Sequence, residues 1–160
     1  MAQAERAVEG PSVAQALRAD DEWLLELLRR TEEELADRDV EGAEQDFAVF
    51  ADRLERHMSV EERILYPAVE HELGPDGADG PTANLRGEHE EIRRWLEVIG
   101  EHLAAGDEFA IGELAILACR LAEHVCFEES LVYPTCDRLL AEAVRVRAAR
   151  DLVRKGRGVS

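Results

Sequence analysis

Positive charge is scarce in this chain: 19 Lys and Arg stand against 36 Asp and Glu, a formal net charge of −17 over 160 residues. A phosphate backbone is held by clustered Lys and Arg, so nucleic acid is excluded as the main partner. The one locally basic stretch, Arg145, Arg147, Arg150, Arg154, Lys155 and Arg157, reads as a solvated helix end running into a frayed tail. No apolar run reaches the roughly 18 residues that span a membrane, and the first residues lack the charged-then-apolar pattern of a secretion leader. The expected location is the cytoplasm, with no membrane partner. Cysteine is also sparse. Cys119, Cys126 and Cys136 are odd in number and have no paired C-x-x-C spacing, which excludes a disulfide framework and a thiolate zinc site; they are taken as reduced packing residues. There is no Gly-rich phosphate loop and no nucleophile constellation. Aromatic residues make up 5% and β-branched runs are few, which argues against sheet.

What is present is helical periodicity. The length is that of one ordinary domain. Apolar residues recur at helical spacing over about Ser12–Asp37, Glu41–Leu73, Thr82–Ala105 and Glu108–Leu152, and the Gly- and Pro-rich stretch Gly74–Pro81 is a loop. Residues 1–11 and 153–160 are expected to be disordered or frayed, leaving a single bundle over 12–152.

The two halves of the chain resemble each other. A shift of 67 positions lays Leu54, His57, Glu61, Glu62, Tyr66 and Pro67 on Leu121, His124, Glu128, Glu129, Tyr133 and Pro134. The core stripes coincide too, Phe47-Phe50-Leu54-His57-Glu61-Ile64-Ala68 against Leu114-Leu117-Leu121-His124-Glu128-Leu131-Thr135. A shift of 68 lays Leu17, Asp21, Leu24 and Leu28 on Leu85, His89, Ile92 and Leu96. A repeat of two helices predicts an all-α, antiparallel up-down-up-down four-helix bundle.

Charged side chains are costly in a core unless paired or coordinated, yet Asp21, His57, Glu61, His89, His124 and Glu128 all fall on the stripes expected to be buried. Residues four apart project from one helix face, so each His-x-x-x-Glu offers an imidazole nitrogen and a carboxylate to one region. Two such pairs, with one ligand from each remaining helix, would surround two cations about 3.5–4 Å apart. In that arrangement Glu61 and Glu128 bridge, His57 and His124 are terminal ligands on opposite ions, and His89 and Asp21 complete the set. Because Asp20-Asp21-Glu22 also reads as capping and dipole compensation at a helix start, Glu22 is the alternative first-helix ligand. Glu62 and Glu129 are candidates for carboxylates behind the ligands, with a solvated face as the alternative. His71 and His102 are expected at the surface. Each Tyr-Pro should kink its helix, the tyrosine hydrogen bonding into the site being a secondary alternative.

With those residues in hand, the chain resembles the hemerythrin-like, or HHE cation-binding, family. The resemblance covers about residues 12–145 and rests on His57-x-x-x-Glu61 with Leu65-Tyr66-Pro67, on Glu88-His89-Glu90, and on His124-x-x-x-Glu128 with Val132-Tyr133-Pro134. It implies a four-helix bundle holding two non-haem iron ions, with manganese or zinc as lesser alternatives. Ligand roles carry over to His57, Glu61, His89, His124 and Glu128. The sequence departs from the family in the first helix, where Asp21 stands in place of a histidine, and in the third, where Arg93 stands in place of a second histidine. The resemblance implies a small-molecule partner, dioxygen, peroxide or nitric oxide, for an oxidase, a peroxide-consuming oxidoreductase or a redox sensor. The alternatives are a non-catalytic iron or oxygen store and a metal-free interaction module.

Overall fold

The computed structural model describes residues 12–74 and 80–154; the expectations for residues 1–11 and 155–160 lie outside them. Helix α1 (Val13–Ala36) starts where Ser12 accepts from the Gln15 amide, and α2 (Val40–Val60) where Asp39 accepts from the Gly42 amide. A wide turn, Glu61–Leu65, leads into α3 (Tyr66–Leu73). Helix α4 (Pro81–Ala105) ends at Gly106, whose φ of +66 is the left-handed cap that glycine adopts without strain. Then come α5 (Ala110–Ser130), α6 (Val132–Leu139) and α7 (Glu142–Val153). The chain is all-α, as expected.

The four long helices close into a ring in which α1 packs on α2, α2 on α4, α4 on α5 and α5 on α1. Cross-helix partners show that neighbours run in opposite directions: Arg53 pairs with Asp20 and Arg30 with Asp46, His89 with Glu62 and Arg93 with Glu55, His124 with Glu88 and His102 with Glu113.

The fourth segment does not run unbroken to Leu152. Leu131 leaves helical geometry at φ −123, and Leu140 and Ala141 are extended, so α7 turns back onto α1 and α2. Its return buries Ala148 and Leu152 against Val13 and Leu17, which is what the apolar positions of a continuous helix would have left in water. Cys136 is buried, but Cys119 and Cys126 are exposed on α5, so two of the three cysteines are not packing residues.

Both Tyr-Pro sequences sit just after a break in helix geometry. Proline has no amide hydrogen and its ring crowds the carbonyl four residues earlier. Ahead of Pro67 the helix widens, and the Tyr66 amide reaches back five residues to the Glu61 carbonyl. The extra residue rotates everything downstream. The buried stripe continues through Leu65 and Val69, with Tyr66, instead of through Ile64 and Ala68. The same one-residue slip in the second repeat buries Val132, Tyr133 and Cys136 in place of Leu131 and Thr135.

Two apolar clusters result, one around Leu24, Phe50, Leu54, Ile92 and Leu121, the other around Leu17, Val60, Leu85, Leu65 and Val132. Each fully buried Leu or Phe contributes roughly 2 kcal/mol. Between the clusters, at the same level on all four long helices, lies a buried layer of charged and polar side chains.

Candidate metal centre

Asp20, Asp21, His57, Glu61, His89, His124 and Glu128 are all at most 4% exposed. Six of these are the residues picked from the sequence, and all six converge. Glu22, the alternative to Asp21, is exposed. Helix α1 begins two turns earlier, at Val13, so Asp20 and Asp21 are not capping residues.

Glu61, on the wide turn, is the centre of the arrangement. Its Oε1 lies 2.9 Å from His57 Nε2 and its Oε2 3.3 Å from His89 Nε2, so one carboxylate faces two different imidazoles. On the first side, His57 Nε2 is also 3.2 Å from Asp21 Oδ1. On the second, His89 Nε2 and His124 Nε2 are 3.0 Å apart, and His124 Nε2 is 3.4 Å from Glu128 Oε2. One ligand atom from each of Glu61, His89, His124 and Glu128 falls within 4.8 Å of all the others.

Each histidine is held from behind by a carboxylate. His57 Nδ1–H donates to Asp20 (2.7 Å), His89 Nδ1–H to Glu62 (2.8 Å) and His124 Nδ1–H to Glu88 (2.6 Å). That fixes the tautomer and turns every Nε2 lone pair inward, the arrangement metal-ligating histidines commonly have. Two of the carboxylates are clamped in turn: Arg53 donates to Asp20 at 2.6 Å and Arg93 to Glu62 at 3.0 Å. Arg93, one turn beyond His89, thus acts on the site through Glu62. Glu129, by contrast, sits at the surface 3.5 Å from Arg18.

The tyrosines enter the site because of the slip described above. The Tyr66 hydroxyl donates to Glu128 Oε1 at 2.6 Å, and the Tyr133 hydroxyl lies 2.9 Å from Asp21, 3.1 Å from Glu61 and 3.2 Å from Glu128. Both are 0% exposed. Of the roles open to these residues in the sequence, hydrogen bonding into the site is the one they fill, alongside the helix breaks. Asp20 was read only as part of a capping run and Glu88 only as part of the Glu88-His89-Glu90 motif; the signal that each backs a histidine was its place directly before a candidate site residue, in Asp20-Asp21 and Glu88-His89.

This donor set demands positive charge. Glu61 Oε2 is buried yet accepts no hydrogen bond, and two imidazole Nε2 atoms face each other at 3.0 Å. Such pairs of lone pairs are stable only around a cation or a proton. With no metal bound, protons take that place. Burial disfavours charge on His57, but Glu61, Asp20 and Asp21 outweigh it and hold the ring well above its ordinary value. Burial likewise opposes charge on His124, and Glu128, Glu61 and Glu88 still push it up to about 9. Burial pushes Asp21 up to about 7. Burial works against the Glu61 carboxylate, but His57 and His89 hold it well below the usual range. Imidazolium and carboxylic acid must both lose their protons to become ligands. Metal uptake is therefore expected to release protons, and apparent affinity to rise about tenfold per pH unit for each proton displaced, the contribution of the His124 proton ending near its value of about 9. Calorimetric titration in buffers of different ionisation enthalpy measures the release; identical heats in all buffers would contradict it.

Of these six side chains, His124 borders a surface cleft. It ends this cleft, of about 210 Å³ between α4 and α5, lined also by Glu88, Ile92, Trp95 and Phe127.

The model of one protein family, the hemerythrin HHE cation binding domain, matches residues 12–136 and so takes in all six of these buried side chains and the four long helices. No curated protein and no solved structure shows significant similarity to the chain. The match spans most of the sequence, and the buried Glu and His cluster lies where a cation-binding domain needs it: the chain belongs to the hemerythrin HHE cation-binding family.

Proposed function

We propose that this chain is a non-haem di-iron protein that reacts with dioxygen, peroxide or nitric oxide in an oxidising or redox-sensing role. The observation that carries the reading is Glu61, whose two oxygens face His57 on one side and His89 on the other, at 2.9 and 3.3 Å. A carboxylate so placed could be shared between two cations, which Asp21 and His57 would help to hold on one side and His89, His124 and Glu128 on the other. Three imidazoles and three carboxylates form a mixed nitrogen and oxygen set that suits iron, and carboxylate bridging screens the repulsion between two ions. Iron bound there would supply electron transfer to and from small oxygen or nitrogen ligands.

The protein's part is positional and electrostatic. Asp20, Glu62 and Glu88 keep the three rings aimed inward, and Tyr66 and Tyr133 hold Glu128 and Asp21 while filling space that water would otherwise take. Asp21 puts an anion where the family pattern has a neutral imidazole. That added negative charge stabilises the higher oxidation state, which works against reversible oxygen carriage. Reduction without air followed by exposure to air separates the readings. Rapid loss of the reduced state, with no stable oxygenated spectrum, is expected; a reversible oxygenated spectrum would instead mark a carrier or store.

A further inference from the structure

Helix α5 buries its site residues and leaves an exposed stripe along the edge of the cleft that ends on His124. Of its charged side chains, Glu128 is buried in the site, Glu113 pairs with His102 at 2.7 Å and Glu129 with Arg18 at 3.5 Å. What remains outward is Ile116 and Phe127, 48% and 42% exposed, with Arg120 and Glu123 between them and uncharged residues alongside, among them Ile111, Ala115, Cys119, Ala122 and Cys126. Arg120 and Glu123 are 3.9 Å apart and 58% and 76% exposed, too loose and too hydrated to satisfy one another. Across the cleft that Arg120, Glu123 and Phe127 wall, α4 adds Glu88 and Glu91, so Arg120 is the one Lys or Arg among the charged side chains of its lining.

The order of these residues reads the same from either end. Arg120 and Glu123 stand at equal distances from the point between Leu121 and Ala122, and so do Ile116 and Phe127. A two-fold contact requires a patch complementary to itself, residue i meeting j while j meets i. Two α5 helices laid antiparallel about that point set Arg120 opposite Glu123 of the second copy and Ile116 opposite its Phe127, each pairing occurring twice.

We infer that this chain forms a dimer through α5, antiparallel, with the two-fold axis between Leu121 and Ala122. The contact runs along a helix about 30 Å long, and a single pair of helices makes an interface at the small end of the usual range. Arg120, Glu123 and Phe127 also wall the cleft that ends on His124, so pairing covers the approach to the metal centre. The contact uses none of the ligands and does not depend on the metal reading.

Sedimentation equilibrium of the full chain at about 100 µM, which populates even a dimer of micromolar Kd, with and without chelator, tests it. The wild type is expected at twice the 17.9 kDa chain mass. Arg120→Glu alone and Glu123→Arg alone each set like charges opposite one another and are expected to be single chains. Mixing the two variants sets the introduced carboxylate of one against the introduced guanidinium of the other and leaves the native Arg120 and Glu123 pair at the second crossing. Every pairing is then between opposite charges, and the dimer returns, as it does with the double swap in one chain. Restoration on mixing also shows that both variants are folded. A wild type of one chain mass, single variants that remain paired, or a mixture that stays unpaired would overturn the inference.

Discussion

Glu61→Ala is expected to purify with less than about a tenth of the wild-type metal, because removing this one side chain takes a ligand from both halves of the centre; losses of one to two orders of magnitude in affinity follow even from disturbing groups behind a ligand. Asp21→Ala is the contrast: it touches only the His57 side, so metal on the His89 and His124 side should survive. Glu61 Oε1 and Oε2 face separate imidazoles at 2.9 and 3.3 Å, and no other carboxylate of the cluster is placed between two histidines in this way. The variant should still fold, since the buried carboxylate it deletes is stable only with a cation or proton nearby. Elemental analysis beside a helical circular dichroism spectrum checks both points. Wild-type metal content in Glu61→Ala would contradict the bridging role, and equal losses in Asp21→Ala would show that the two halves are not separable.

Removing metal should lower the midpoint of thermal unfolding by about 10 °C. A ligand that binds only the folded state stabilises it by about 3–4 kcal/mol at 100 to 1,000 times its Kd, and in a domain of this size each kcal/mol is worth roughly 2–4 °C. The site makes such coupling unavoidable. Asp21, Glu61 and Glu128 all reach the Tyr133 hydroxyl, at 2.9, 3.1 and 3.2 Å, and are at most 3% exposed, and burial and the Glu61 charge raise the Glu128 carboxyl above its usual value when no cation is present. The two apolar clusters meet only across this layer, so its repulsion is felt by the whole bundle. Scanning with chelator and after readdition of iron measures the effect; unchanged midpoints would mean that the layer is satisfied by protons alone.

Much of this was legible before any coordinates. The four helices, their repeat and the burial of six charged side chains follow from spacing, because a helix projects residues three and four apart onto one face and charged residues on an apolar stripe need a reason to be there. Asp21 over Glu22 also followed, since the stripe through Leu17, Leu24 and Leu28 passes through Asp21 and not its neighbour. The missing part came from places where the helical period slips. Continuing the stripe through Ile64 and Ala68 leaves Tyr66 facing sideways, and only the extra residue in the wide turn before Pro67 brings its hydroxyl to Glu128. The matched Tyr-Pro in both repeats was the available signal. Asp20 was hidden for a different reason. It lies beside the stripe, not on it, and is buried because it reaches sideways to His57 and Arg53, a cross-helix contact that no single-helix pattern contains. The fold-back of α7 was likewise invisible, since its apolar positions keep helical spacing across the break at Leu140.

The central claim is that two ions share Glu61, and anomalous scattering from crystals of the purified protein at the iron absorption edge tests it most directly. Two peaks about 3.5–4 Å apart, one among Asp21, His57 and Glu61 and the other among Glu61, His89, His124 and Glu128, are the predicted result. A single peak, or none at the iron edge with Glu61 Oε2 facing only protein, would contradict it.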